Sequence, residues 1–456
     1  MKMTVRLPGG VVAFAMALLF SACTHRAAPA PAPTPTGTAP TSENAGTEAA
    51  GAVDQSPRLE RVVMLMRHGV RPPTKAKVTP DGMTDRPWPA WPVGYGELTP
   101  HGYDAIRLAG QWDRAHWIKR GLLSPQGCPG DEDVEVAASA KSRTQDTARA
   151  WVEGMWEDCR VAVTFPSSPD ADVEFHPLDA GVMPLDEERA YRAVLALAPP
   201  GGMEQEVRDH EALFALLNKA LGCCEPAFCA SQGRSTGCQV SQMRPGIVRN
   251  ENDRPDVGDP FGLASTVSQT FLLEYLEGMP MEDVAWGRLT RQEIEELLEF
   301  HSIKFYYEGR APYVAALAAS PLASRMLTAM EHGPKLTVLV GHDTNIADLG
   351  GLLDMHWKVP GYPRDDPPPG GAIGFEVLSD TKGEKYVRAF FRSQDMQQVR
   401  QLQPLSDSNP PSYLYLDIPG CARHCTLARF GQLVRGKLVQ PVKPVKPVKP
   451  IRPVTG

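Results

Sequence analysis

Arg67, His68, Arg71 and Lys75 fall within the run Arg67-His68-Gly69-Val70-Arg71-Pro72-Pro73-Thr74-Lys75. An imidazole held among guanidinium groups is equipped for phosphoryl chemistry. Arginine forks match the oxygens of a phosphate, and a neutral ring nitrogen is a competent nucleophile toward phosphorus. A second segment, Gly341-His342-Asp343-Thr344-Asn345, supplies what the first lacks. A carboxylic acid beside a cationic site can protonate a departing oxygen, and a second histidine can donate to phosphoryl oxygens. A His-Asp pair alone carries little weight; its value comes from the pairing with the arginine-rich run.

Both segments follow short apolar runs, Val62 to Met66 and Leu336 to Val340. Such runs read as buried strands. Open α/β sheets bind ligands outside the carboxyl ends of their strands. Parallel pairing can bring two such ends together although more than 250 residues separate them. A third apolar stretch, Val134 to Ala138, leads into Ala140-Lys141-Ser142-Arg143-Thr144 and predicts another strand end, this one opening a helix. A helix N-terminus adds backbone donors and a favourable dipole for an anion. From about residue 180 to 300 the pattern changes. Glu187 to Leu197, Glu204 to Leu221, Leu263 to Leu276 and Thr290 to Tyr307 carry apolar residues at helical spacing. They predict a helical insertion that caps the sheet, with a substrate crevice between.

Taken together, Arg67-His68-Gly69-Val70-Arg71-Pro72-Pro73 and Gly341-His342-Asp343-Thr344-Asn345 resemble the histidine acid phosphatases, the two-domain branch of the histidine phosphatase superfamily. The bacterial phytase and glucose-1-phosphatase group is the most similar. Trp88-Pro89-Ala90-Trp91-Pro92-Val93, Leu98-Thr99-Pro100, Gly278-Met279-Pro280, Trp286-Gly287-Arg288 and Pro367-Pro368-Pro369-Gly370-Gly371 carry the same likeness, from about residue 58 to about 435. The resemblance implies an α/β fold: an open, mostly parallel sheet flanked by helices, with a mainly helical inserted cap. The expected segments are a signal peptide (1–22), an Ala/Pro/Thr-rich tether (23–57), sheet domain (58–180), cap (181–305), sheet domain resumed (306–435) and a Pro/Val/Lys-rich tail (436–456).

The resemblance also implies roles. His68 would attack phosphorus and carry the phosphoryl group. Arg67, Arg71, Arg143 and His342 would hold the phosphoryl oxygens, and Asp343 would be the general acid. Thr74 and Lys75 would line the substrate side, and Gln269 stands where relatives carry an acidic residue. The expected partner is a small phosphomonoester, phytate-like, with a glucose-1-phosphatase-like sugar phosphatase as the runner-up. A phosphoglycerate-mutase-like activity shares only the Arg-His-Gly core. A binding lipoprotein on a dead phosphatase scaffold is the reading from another class, and the intact set of six site residues opposes it.

The rest of the chain sets the context. The sequence has no HExxH, EF-hand loop or zinc-spaced CxxC pair, so no metal and no cofactor is expected. His101, His116, His176, His210, His301, His332, His356 and His424 are scattered and read as surface or core residues, His101 being the nearest to an exception. Lys2 and Arg6 precede the apolar run Val11 to Phe20, which ends Ser21-Ala22-Cys23. This reads as an export signal too short to span a membrane, with Cys23 placed for lipid anchoring in the periplasm, outer membrane or cell surface. Loss of residues 1–22 would take the formal charge from −7 to −9, a mildly acidic body with no nucleic-acid footprint. Eight cysteines remain beyond Cys23, an even number suited to an oxidising compartment. The resemblance implies bridges Cys128–Cys159, Cys229–Cys238 and Cys421–Cys425. It also implies that one bridge of some relatives is missing, since Met183 stands at one end and no cysteine follows Cys425. Cys223 and Cys224 are left without assigned partners. Residues 24–57 and the Pro-Val-Lys repeats from Pro441 onward cannot build a core.

Overall fold

The computed structural model describes residues 57–130, 132–234, 237–421 and 424–442. The predicted signal peptide, Cys23, the tether up to residue 56 and the tail beyond residue 442 lie outside these residues.

The first section runs β1 (Arg58–Arg67), α1 (Pro100–Lys119), β2 (Val134–Ala138), α2 (Ser142–Met155) and β3 (Val163–Thr164). A helical stretch follows: α3 (Glu187–Leu195), α4 (Gly202–Asp209), α5 (Glu211–Leu221) and α6 (Pro226–Ser231). A small antiparallel hairpin, β4 (Ile247–Val248) with β5 (Asp256–Val257), leads to α7 (Phe261–Leu276), α8 (Arg291–Leu297) and α9 (Glu299–Arg310). The chain then returns to the sheet through α10 (Pro312–His332), β6 (Leu336–Gly341) and α11 (Asp343–Leu353). It ends with β7 (Ala372–Ser379), β8 (Lys385–Ser393), α12 (Met396–Arg400), β9 (Ser412–Leu416), β10 (Cys425–Thr426) and α13 (Leu427–Lys437).

The strands form one mixed sheet in the order β10-β8-β7-β1-β6-β2-β3, with β9 also on β8. Pairing is parallel among β1, β6, β2 and β3, the half that carries the motif strands. From β7 outward it is antiparallel, so the parallel character expected of most of the sheet holds for only half of it. The reason is local. β7 and β8 are joined by the short turn Asp380–Glu384, with Gly383 at φ +83°, and a short turn can only return antiparallel. The parallel neighbours are joined instead by helical crossovers.

Val62 to Met66 are all fully buried because helices cover both faces of β1. Val62, Met64 and Met66 pack with Trp117 and Trp151 of α1 and α2, whereas Val63 and Leu65 join the core that includes α7 and α10. The helical runs expected at 204–221 and 290–307 are each broken, at His210 and Leu298. The apolar spacing continues across both breaks, and neither glycine nor proline marks them. α9 runs on to Arg310, so the expected boundary at residues 305/306 falls inside a helix. Cys128–Cys159, Cys229–Cys238 and Cys421–Cys425 are paired, and Cys223 is paired with its neighbour Cys224.

Candidate active site

Register brings the two motifs together. β1 and β6 align Val62 with Leu336 and Arg67 with Gly341, so His68 and His342 leave the sheet side by side. Their ring centroids are 5.6 Å apart, edge to face. β2 lies on the other flank of β6, aligning Ala138 with Val340, and its exit leads straight into α2, whose second residue is Arg143. Asp343 opens α11 directly after His342. On the far side of β1, the loop ahead of β7 closes over the first motif: Arg67 N–H donates to Gly371 O at 2.9 Å and Gly370 N–H to His68 O at 3.1 Å. The first turn of α1 abuts the same motif so closely that a Cβ on Gly102 would lie 2.4 Å from Val70 O. Glycine is required there by close approach.

Hydrogen bonding fixes the state of His68. Its Nδ1 is 2.9 Å from Gly69 O, a carbonyl that can only accept, so Nδ1 carries the hydrogen. Nε2 therefore presents its lone pair to the cluster, where Arg71 Nε–H points at it from 3.5 Å. Burial, reinforced by Arg143, Arg71 and Arg67, holds the ring's pKa well below the usual histidine range. The ring therefore stays neutral under acidic conditions. His342 is depressed in the same way by burial, Arg143 and His176.

Three guanidiniums face one carboxylate. Arg67 is fully buried, with Nη1 donating to Pro367 O at 2.6 Å and Nη2 shared between Gln269 Oε1 at 2.9 Å and Asp343 Oδ2 at 2.8 Å. Arg143 Nη2 is 3.3 Å from His342 Nδ1. Arg71 is pushed down to about 9 by burial and by Arg143, and so stays cationic in acid. With both rings neutral, the cluster carries a surplus of two positive charges, the complement of a phosphoryl dianion. Burial would raise the pKa of Asp343, but Arg67 and His301 outweigh it and hold the carboxyl well below the usual range. Its place at the N-terminus of α11 acts in the same direction. Burial therefore does not by itself keep Asp343 protonated; in the free site it is a carboxylate.

His301 is the residue that sequence reasoning missed. It projects from α9 with Nε2 3.8 Å from Asp343 Oδ2, and Nδ1 bonds Asp366, which is fully buried. Helix α9 reaches this position because Gly309 and Gly351 let it press against α11. A Cβ on Gly351 would lie 1.9 Å from Gly309 O. No motif marks His301; the only hint is that Asp366 directly precedes the Pro367–Gly371 segment. His101, the expected exception, instead sits 2.8 Å from Val399 O at the start of α1 and does not line the cleft.

The cleft outside the cluster measures about 420 Å³. Thr74, Lys75 and Gln269 line it, together with Lys77, Lys304 and Asp343. A cavity of about 470 Å³ opens at the opposite end of the sheet, against Glu135, Glu174 and Arg325. It contains none of the motif residues, and the smaller cleft is the one with chemistry.

Comparison with known proteins agrees with this geometry. The family model described as "Histidine phosphatase superfamily (branch 2)" matches residues 58–222 and 239–392. The chain is 34% identical to the phytase AppA of Escherichia coli over 401 residues, covering 83% of this chain and 91% of that one. It is 27% identical to a glucose-1-phosphatase of Salmonella typhimurium over 379 residues, covering 80% and 88%. Among solved structures, the apo form of Hafnia alvei phytase superposes with a TM-score of 0.79 at 33% identity, covering 85% of this chain and 98% of that one. This chain belongs to branch 2 of the histidine phosphatase superfamily and is a phytase-like histidine acid phosphatase, a phosphoric monoester hydrolase.

Proposed function

We propose that the enzyme works through a phosphohistidine on His68 Nε2 and that its preferred substrates are phytate-like, with several phosphates on one small alcohol. The observation that carries the mechanism is the Nε2 lone pair of His68 facing Arg71 inside the three-arginine cluster. Nε2 attacks phosphorus while Arg67, Arg71, Arg143 and His342 take the phosphoryl oxygens. As the phosphoryl group draws Arg67 away from Asp343, its negative charge raises the carboxyl pKa and a proton from acidic solvent settles there. Asp343 gives that proton to the departing alcohol as the P–O bond breaks. It then takes one from the water that hydrolyses the phosphohistidine. Lys75, Lys77 and Lys304 around the cleft support a substrate with further phosphates beyond the one transferred. The helical stretch carrying Gln269 and His301 is read as the cap that completes the cleft.

The test is His68→Ala together with acid-quenched trapping of labelled phosphoenzyme from the wild type. The variant should form none and lose turnover on phytate and p-nitrophenyl phosphate alike. Substantial turnover by the alanine variant sinks the mechanism. A preference for glucose 1-phosphate over phytate in the wild type moves the substrate to the runner-up. We also propose export and acylation of Cys23, from the Ser21-Ala22-Cys23 sequence. Mass spectrometry of the mature N-terminus decides that point, an unmodified start at or beyond Thr24 being the contrary result.

A further inference from the structure

Behind His342, away from the cleft, runs a chain of hydrogen bonds that the reaction above leaves unused. His342 Nε2 is 3.1 Å from Ser139 Oγ. Ser139 Oγ donates to Asp172 Oδ2 at 2.6 Å, and the same oxygen accepts the Ala140 N–H at 2.9 Å. Ser139 and Asp172 are both fully buried. A hydroxyl has one proton to give. With that proton committed to Asp172, Ser139 can only accept from His342, so Nε2 of His342 carries its hydrogen. Nδ1 faces the other way, into the arginine cluster, and accepts from Arg143. In this state the ring has no proton to offer a phosphoryl oxygen. It becomes a donor there only by taking a second proton at Nδ1.

The carboxylate at the end of the chain is unusual. Among the described residues its only ion-pair neighbour is His176, with Nε2 4.0 Å away, and its Oδ1 has no hydrogen-bond partner. A buried carboxylate without a committed cation is costly unless something uses its charge.

We propose that Asp172, acting through Ser139, is a positioning residue for phosphoryl transfer: it fixes the Nε2–H tautomer of His342 and provides the buried negative charge against which His342 becomes an imidazolium when phosphate binds. The proposal rests on the phosphoryl-transfer reading of the arginine cluster. The proton balance is simple. A phosphomonoester monoanion gives its P–O–H proton to His342 Nδ1 and becomes a bound dianion. Nδ1–H then donates to a phosphoryl oxygen, and Arg143 turns from Nδ1 to the same group. The charged and titratable groups facing His342 are Arg143 from α2, Asp172 and His176 from the segment after β3, Asp343 from α11, and His68 and Arg71 from the loop after β1. Only Asp172 reaches the ring through a hydrogen bond on the side away from the cleft.

Asp172→Asn separates charge from shape, since one carboxamide oxygen can accept from both Ser139 and Ala140. The readout is the ¹⁵N-histidine spectrum of the full chain, with and without saturating inorganic phosphate, which needs no turnover. In the wild type His342 should be neutral and Nε2-protonated when free, and an imidazolium with phosphate. In Asp172→Asn its pKa in the phosphate complex should fall by about one unit. Inhibition by phosphate at acidic pH should weaken about tenfold, and kcat should fall more than KM rises. Ser139→Ala, which removes only a hydroxyl, should leave the free ring a mixture of tautomers and serves as the test if the asparagine variant fails to fold. Identical His342 titration in wild type and variants, or a wild-type ring that stays neutral with phosphate bound, overturns the proposal. A His68→Ala enzyme that still turns over would instead defeat the phosphohistidine reading and leave the His342 titration to be judged on its own.

Discussion

Two buried arginine sites, one on the α1/α2 face of the sheet and one at the ends of its parallel strands, are compensated in opposite ways. On the α1/α2 face, Arg392 Nη2 donates to Asp113 Oδ2 at 2.7 Å, Trp151 Nε1 donates to the same oxygen at 2.9 Å, and Arg392 Nη1 donates to Gly370 O at 2.9 Å. One cation meets one anion, both about 1% exposed. At the carboxyl ends of β1, β6 and β2, Arg67, Arg71 and Arg143 share the single carboxylate of Asp343. The first arrangement is complete as it stands. The second is short of negative charge by two, which the phosphoryl dianion of the proposed reaction would supply. Residue types alone do not separate the two; the ratio of arginine to carboxylate does. A balanced pair holds β8 to α1, and an unbalanced cluster is what the proposed mechanism needs to hold a phosphoryl group.

The comparison can be broken most severely at Asp343. Asp343→Asn removes the proposed acid and enlarges the charge surplus. Hydrolysis of phytate, whose alcohol is a poor leaving group, should slow by about 10²–10⁴-fold. p-Nitrophenyl phosphate should be affected less, and inorganic phosphate should inhibit more tightly. Equal losses on the two esters would remove Asp343 from the acid role. On the balanced side, Asp113→Ala strands a buried guanidinium and should cost about 3–5 kcal/mol in denaturant unfolding, with kcat of the folded enzyme unchanged. A stability loss within experimental error would show that water replaces the carboxylate there.

Acid should expose the same contrast through stability. His68 and His342 are held neutral in the folded state, while the unfolded chain protonates them near 6.5. Below that pH the unfolded state binds more protons, so stability falls as pH falls, by up to about 1.4 kcal/mol per pH unit for each ring. Glu274, buried in α7 and raised to about 8 by its burial, acts with the opposite sign. Its contribution is present below the unfolded value near 4.5 and is lost as pH rises toward 8. Urea titrations across pH should therefore show His68→Ala flattening the acid side and Glu274→Gln flattening the neutral side. The smallest expected effect sharpens the charge count: Gln269→Glu adds a second carboxylate beside Arg67. The KM and the phosphate inhibition constant should both rise about tenfold, and unchanged values would mean that the surplus is not what binds phosphate.

The cluster was legible because its chemistry is written in contiguous runs at strand ends: Arg67 to Lys75, Ser142-Arg143 and Gly341 to Asn345. The buried strand Val62–Met66 was equally plain from unbroken apolar character, and Val134–Ala138 from an apolar run interrupted only at Glu135. What stayed hidden was tertiary. His301 and Asp366 meet only because two glycines let α9 press on α11, and Ser139 and Asp172 meet across 33 residues with no motif at either end. The antiparallel half of the sheet departs from the parallel expectation because the short turn at Asp380–Gly383 returns β8 directly beside β7. The breaks at His210 and Leu298 carry no helix-stopping residue, so periodicity ran through them.

The register that aligns Arg67 with Gly341 also has a consequence for how the chain folds. β1 is made first, yet its partner β6 lies more than 270 residues later, and its other partner β7 later still. Until both arrive, β1 has two unpaired edges flanking the wholly apolar run Val62–Met66, a surface prone to wrong pairing. Closure of so long a loop before any reward makes sheet completion intrinsically slow. A chain stopped before residue 336 would hold His68 and all three arginines without a strand to align them, so activity should appear during refolding only with the last cooperative step.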